Sequence, residues 1–338
     1  MITWGLVSAS MMFVHSAFSF YVLRFALGAA EAGFFPGIIY CLTRWFPMRD
    51  RARAIAGFMT AVVVAGIIGG PTSGVLLSLN GVGGLAGWQW LFVVEGIPAV
   101  VLGLIVLRAL PEQPTDARWL TAGEQQALTA ALADEAASST GAGRVHSIRG
   151  ALTSRRVWLL AAVYFTIPVA LYAMGFWMPQ IIRTASGGSD VSTGWLSAIP
   201  YGVAAIGMVV IGRNSDRTGE RRWHIALSAI AGGASFALAG FVHGTVPSIV
   251  ALSIAMLGLA SMLGPFWAFA TSFLGGIGAA AGIALVNSVG NIGGFVGPNI
   301  IGYLQQTTTS YTTGLVVIGA VLACGGLLVL AIVDRRSS

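Results

Sequence analysis

Apolar residues run along the chain in blocks about 20 residues long, the length at which a helix crosses the hydrocarbon core of a bilayer. Short polar turns part the blocks. Ten of them are predicted as spanning helices: 2–20, 22–45, 53–79, 89–110, 157–182, 192–212, 223–243, 246–271, 278–304 and 311–333. Lipid offers no hydrogen-bond partner to a backbone amide, so spans of this kind must satisfy themselves as helices. The opening block, "MITWGLVSASMMFVHSAFSF", has no positive n-region and no cleavage site follows it, so it reads as a span and not as a signal peptide.

The pattern divides the chain into three parts. Residues 1–110 form a half with four spans, 111–156 a long polar loop, and 157–338 a half with six spans. Thr121 to Glu124 in the loop reads as a capping box that opens an amphipathic helix. A linker rich in Ser, Gly and Ala follows. "IGGPTSG" (68–74) and "VGPNIIG" (296–302) each precede one last span of their half, an internal repeat with a shared Gly-Pro kink. Pro298 lies about 140 residues beyond the start of its half and Pro71 about 70 beyond Met1, so the repeat predicts a 6 + 6 parent whose third helix is the first one here.

Composition agrees with a lipid solvent. Hydrophobic residues make up 56% of the chain and charged residues 9%, and the mean hydropathy is +0.82. A water-soluble chain of 338 residues could not hide that much apolar surface. The formal charge of +6 does not signal nucleic-acid binding, because the arginines cluster in turns between apolar runs and form no aromatic-interleaved basic face. The 46 glycines fit close helix–helix contact. Cys41 and Cys324 sit in apolar runs and read as small buried hydrophobes. The four histidines (His15, His146, His224 and His243) make no zinc spacing. No phosphate-binding G-x-x-x-x-G-K-[ST] occurs.

Charge sets the expected orientation. With the N-terminus in the cytoplasm, Arg44, Arg49, Arg51 and Arg53 lie inside, as do Arg108, Arg118, Arg144, Arg149, Arg155 and Arg156. Arg213, Arg217, Arg221, Arg222, Arg335 and Arg336 join them. Only Arg183, at an outer end, and Arg24, within a span, are left over. Both termini are therefore expected in the cytoplasm.

Two opposite charges sit in one span. Arg24 and Glu31 in "LRFALGAAEAGFFPG" are seven residues apart, which is about 10.5 Å along a helix and within about 20° of two full turns. They share a face with Gly28 between them. Helical side chains lean toward the N-terminus, so Arg24 leans away from Glu31 and the two make no direct pair. A charge inside the bilayer costs about 2.5–3.5 kcal/mol on insertion scales. The arrangement fits a guanidinium for an anion beside a carboxylate able to take a proton. In the competing reading Glu31 is a protonated packing residue and Arg24 snorkels outward from near its helix start. Glu95 in "WLFVVEG" reads as a structural partner more than as a substrate contact.

Asn287 and Asn291, at i and i+4, are candidates for substrate hydrogen bonds or for interhelical glue. Trp267, Tyr164, Tyr172 and Trp177 are candidate cavity residues, with packing as the alternative. Asp216, Arg217, Arg221 and Arg222 in "GRNSDRTGERRWH" read as a cytoplasmic charge latch, or as solvated positive-inside charge.

These stretches resemble the major facilitator superfamily, and within it the anion:cation symporter group that carries tartrate, phthalate and sugar acids. "LRFALGAAEAGFFPG" resembles that group's fourth helix, "RWFPMRDRARAIAGFM" the next loop and fifth helix, and "GWQWLFVVEGIPAVVLG" the sixth. "GRNSDRTGERRWH" resembles the loop between helices eight and nine. "GPFWAFATSFLGGIGAAAGIALVNSVGNIGGFVGP" resembles helices ten and eleven. The resemblance implies an all-α polytopic bundle with ten transmembrane helices, three to twelve of the twelve-helix pattern. It implies a secondary transporter, not an enzyme, that imports a small organic carboxylate by proton or cation symport with alternating access, as a monomer in the bacterial inner membrane and with no cofactor or metal. It assigns anion binding to Arg24, cation coupling to Glu31 and a substrate hydrogen bond to Asn287. The loop charges would help hold one access state. "IGGPTSG" resembles the superfamily's fifth-helix glycine–proline motif, which does not decide the direction of transport. The alternatives are another carrier of the superfamily, such as a multidrug exporter, or a truncated fragment that does not transport.

Overall fold

The computed structural model describes residues 1–111, 113–140, 152–273 and 277–332. The linker at 141–151 with Arg144, His146 and Arg149, and the terminal Arg335 and Arg336, lie outside the described residues. The described chain is helical with no strand. The helices are α1 (Ile2–Ser10), α2 (Ala17–Glu31), α3 (Phe34–Trp45), α4 (Met48–Ser78), α5 (Gly87–Ala109), α6 (Ala122–Thr140), α7 (Arg155–Ser186), α8 (Asp190–Thr218), α9 (Arg222–Ala239), α10 (Thr245–Phe273), α11 (Ile277–Thr308) and α12 (Thr312–Leu330). Among the described residues, six are long and apolar enough to cross a membrane: α4, α5, α7, α8, α10 and α12.

Each expected span falls on helix, but the first two differ in form. The span expected at 2–20 is α1 with a 3₁₀ turn (Met11–Phe13), and it ends at the extended Val14. A new helix starts at Ala17 because Ser16 and Ser19 cap each other: Ser19 N–H donates to Ser16 Oγ (3.2 Å) and Ser16 N–H to Ser19 Oγ (3.1 Å). The span expected at 22–45 is two helices, α2 and α3, parted at Ala32 and Gly33. Pro36 has no amide hydrogen to return to the Ala32 carbonyl, which weakens the ladder there. Pro71 and Pro298 both lie inside continuous helices. The capping box at the head of α6 is formed, with Thr121 N–H donating to Glu124 Oε2 (2.9 Å) and Glu124 N–H to Thr121 Oγ1 (3.3 Å).

The chain forms two compact units, Met1–Ala61 with Ser73–Ala142, and Val62–Thr72 with Gly143–Ser338. Glycines set the helix spacing in both. In the first unit Gly5 and Gly96 bring α1 and α5 together, and a Cβ on Gly96 would lie 2.8 Å from the Gly5 carbonyl oxygen. In the second, a Cβ on Gly297 of α11 would meet the Val169 carbonyl oxygen of α7, closer than real Cβ atoms come. Such small-residue seams are how helices pack when lipid removes most of the hydrophobic drive between them. The second unit has a buried core of Leu160, Ile167, Met174, Phe236, Phe266 and Phe269. Its rim carries exposed Ile206, Phe241, Val246 and Phe295, the surface expected against acyl chains. The segment Val62–Thr72 belongs to this unit because Gly66 of α4 packs on the Tyr201 ring of α8 and Gly70 on the Gly194 carbonyl.

Candidate functional site

In the first unit, Arg24 is the eighth of the fifteen residues of α2, so it lies mid-helix and not near a helix start as the span boundary suggested. Its guanidinium sits over the ring of Phe20, one turn earlier, at 5.2 Å from the centroid, and over the ring of Phe92 of α5 at 5.7 Å. The side chain therefore leans toward the N-terminus and away from Glu31. Among the described residues Arg24 has no ion pair, and both Arg24 and Glu31 are exposed on their unit. Two aromatic faces hold the charge in place and leave the donor edge of the guanidinium free. Glu31 is the last residue of α2.

Glu95 of α5 has a partner that the sequence did not reveal. Ser73 Oγ of α4, two residues past Pro71, donates to Glu95 Oε1 at 2.9 Å. Phe92, whose ring lies under the Arg24 guanidinium, is one turn before Glu95 on α5.

In the second unit, the aromatic candidates gather along the α7–α11 seam. Tyr164 stacks on Phe266 (5.2 Å, 20°) and meets Trp267 edge-on (4.8 Å). It fills the notch at Gly290 of α11, where a Cβ would collide with the ring. Tyr172 covers Gly294 and is 46% exposed. Trp177 lies over Gly302 and donates its indole N–H to the Pro298 carbonyl at 3.0 Å. Tyr164, Tyr172 and Trp177 thus act at least as packing residues, each a ring over a glycine. Asn287 is half-buried and Asn291 exposed, on the α11 face that flanks Gly290. Neither has a hydrogen-bond partner among the described residues.

Between α8 and α9, Arg221 Nη1 pairs with Asp216 Oδ1 at 2.5 Å and reaches Ser215 Oγ at 3.1 Å. Arg222 donates Nη2 to the Leu330 carbonyl at the end of α12, a cation at the negative end of a helix. Arg217 is exposed and takes no part in these bonds. Glu220 accepts from the backbone N–H of Trp223 (2.9 Å) and His224 (3.4 Å). The His224 ring nitrogens lie 3.2 Å from Glu220 Oε2 and 2.8 Å from Asn214 Oδ1. Burial pushes the Glu220 carboxyl up, but the bonds from Trp223 and His224 together outweigh it and hold the group below the usual carboxylate value.

The description "Major Facilitator Superfamily" matches residues 1–298 of the chain. The chain belongs to that superfamily. A "Putative tartrate transporter" of Agrobacterium vitis is 44% identical over 339 residues, covering 100% of this chain and 74% of that protein. A "Quinolone resistance transporter" of Acinetobacter baumannii is 39% identical over 97% of this chain and 75% of its own length. Among solved structures, a bacterial homologue of the human lysosomal transporter Spinster, inward-facing and occupied, aligns with a TM-score of 0.73 at 16% identity. That alignment covers 98% of this chain and 80% of that one. A likeness at that identity speaks for the fold. This superfamily member is a membrane-embedded transporter and not an enzyme.

Proposed function

We propose that this superfamily member is a secondary carrier that imports a small organic carboxylate by proton symport with alternating access, in the bacterial inner membrane with both termini cytoplasmic. The observation that carries the reading is Arg24. A guanidinium in mid-helix, held against two rings and with no carboxylate among the described residues paired to it, is poised for a carboxylate from outside. Tartrate is the first anion to try, since two relatives above 40% identity bear the description "Putative tartrate transporter". In the second unit Asn287 and Asn291 are the amide groups proposed for substrate hydrogen bonds, and in the first Glu31 carries the coupled proton. Asp216 with Arg221, and Arg222 on the α12 terminus, steady one access state from the cytoplasmic end.

The quinolone resistance relative favours a second reading, a drug exporter of the same fold. Radiolabelled L-tartrate uptake into proteoliposomes separates the two. The carboxylate reading expects accumulation that a protonophore collapses and that organic anions compete with, but a quinolone does not. Glu31→Gln should still exchange tartrate across the membrane yet fail to concentrate it. Uphill accumulation by Glu31→Gln would remove Glu31 from proton coupling.

A further inference from the structure

Glu95 is the eighth residue beyond the start of α5 and lies fourteen before its end, about 12 Å and about 21 Å along the axis. A carboxyl at that depth needs a cation, a path to water or a proton. Among the described residues Glu95 Oε1 has a neutral serine hydroxyl as its partner, and Oε2 has no hydrogen bond.

The charged groups around it are few. α1 (Ile2–Ser10) and the 3₁₀ turn (Met11–Phe13), which both pack on α5, carry no ionisable side chain. Met1 and Ile2 pack beside Gly103, two turns further along α5. The half of α4 that carries Ser73, residues 60–78, has none. On α5 itself the other charge is Arg108, thirteen residues away. From α2 come Tyr21, exposed on its unit, Glu31, two turns beyond Arg24, and Arg24, whose guanidinium rests on Phe92 one turn from Glu95.

An anion that binds Arg24 therefore arrives over Phe92, one turn of α5 from a second carboxyl that has no cation of its own among the described residues. Like charges brought close favour the protonated carboxyl. Anion binding and proton uptake are then linked, and by the same amount in both directions. We propose that Glu95 takes up one proton when a carboxylate binds at Arg24, which makes it a second proton-carrying carboxyl of the transport cycle with Ser73 fixing its orientation. The proton comes from water on the side to which the site is open, forms the O–H bond at Oε2, and returns to water when the anion leaves. The inference rests on the anion reading of Arg24 and is separate from the role of Glu31.

The test is calorimetric titration of the purified 338-residue chain with L-tartrate, in buffers of different ionisation enthalpy and above about pH 6, where both tartrate carboxyls are ionised. The heat difference between buffers gives the protons bound per tartrate. Expected is net uptake by the unaltered chain, with Kd falling up to about tenfold per pH unit as pH drops for each proton linked. In Glu95→Gln the count should fall by one. Ser73→Ala keeps the carboxyl and should keep the count. An unchanged count in Glu95→Gln overturns the proposal and leaves proton symport standing. A lost proton in Ser73→Ala equal to that in Glu95→Gln assigns the pair to holding α4 on α5, and also overturns it. No proton uptake by the unaltered chain sinks proton symport as well.

Discussion

Phe92→Leu isolates the part of the site that holds Arg24. Leucine keeps most of the apolar bulk on α5 but removes the ring 5.7 Å below the guanidinium. A cation–π contact at a site open on one side is worth about 0.5–1 kcal/mol. Phe20 retains the other face at 5.2 Å, so the arginine stays in the site with more freedom than before. That freedom is lost again on binding an anion, and tartrate Kd should rise about two- to fivefold. Arg24→Gln removes a charge-assisted contact worth about 1.5–3 kcal/mol and should raise Kd at least about tenfold. The decisive measurement is the double variant. If Phe92 acts through Arg24, adding Phe92→Leu to Arg24→Gln should weaken tartrate binding by less than about twofold further, because the ring then has no cation to hold. Titration calorimetry or competition against radiolabelled tartrate reads all four proteins. A full two- to fivefold loss in the Arg24→Gln background would show that Phe92 serves α5 packing and not the arginine, and the account of a pre-held guanidinium would fall.

Gly297→Ala should lower thermal stability in detergent by an amount typical of overpacking, about 1–3 kcal/mol, since its Cβ would meet the Val169 carbonyl. Gly175→Ala on the open face of α7, with nothing within 4 Å, is the matched control and should be neutral or slightly stabilising; equal losses would discount the α7–α11 seam. Glu220, with its folded value held below that of the unfolded chain, adds stability that is present at neutral pH and is lost as pH falls through the folded value. Unfolding midpoints of the unaltered chain should therefore drop between neutral and acidic pH more than those of Glu220→Gln, and parallel curves would refute the assignment.

The architecture was legible because lipid leaves a chain few choices. Blocks of about 20 apolar residues must be helices, and the blocks fall on helices from α4 onward with small changes at their ends. The two misread spans show where that rule stops. Apolar residues flank His15 and Ser16 closely on both sides and no charged residue interrupts 32–33, so a count of hydrophobic residues over a 20-residue window sees continuous spans there. The breaks come from short-range hydrogen bonding, in which "SAFS" offers two hydroxyls that cap a new helix and Pro36 withholds a donor from Ala32. Both signals were present in the sequence, and hydropathy outweighed them. The glycine seams were legible only as composition, because which ring covers which glycine depends on the register between α7 and α11.

The site divides in the same way. Helix geometry alone shows that Arg24 and Glu31 share a face and cannot meet, and the spacing of Phe20 and Arg24 already puts a ring within reach of the guanidinium. Phe92 and Ser73 carry no such local signal, since each acts across a helix–helix contact that no periodicity encodes. Those two contacts change what the charged residues can do. Arg24 and Glu31 read alone are a cation and a carboxylate about two turns apart, a distance at which an anion on one weakly senses a proton on the other. With Phe92 under Arg24 and Ser73 on Glu95, a second carboxyl stands one turn of α5 from the ring that holds the same cation. Coulomb coupling rises as separation falls and as water is excluded. On the proposal above, Glu95 is the carboxyl that answers an anion at Arg24 through this contact, and the coupling proposed for Glu31 acts from two turns further along α2.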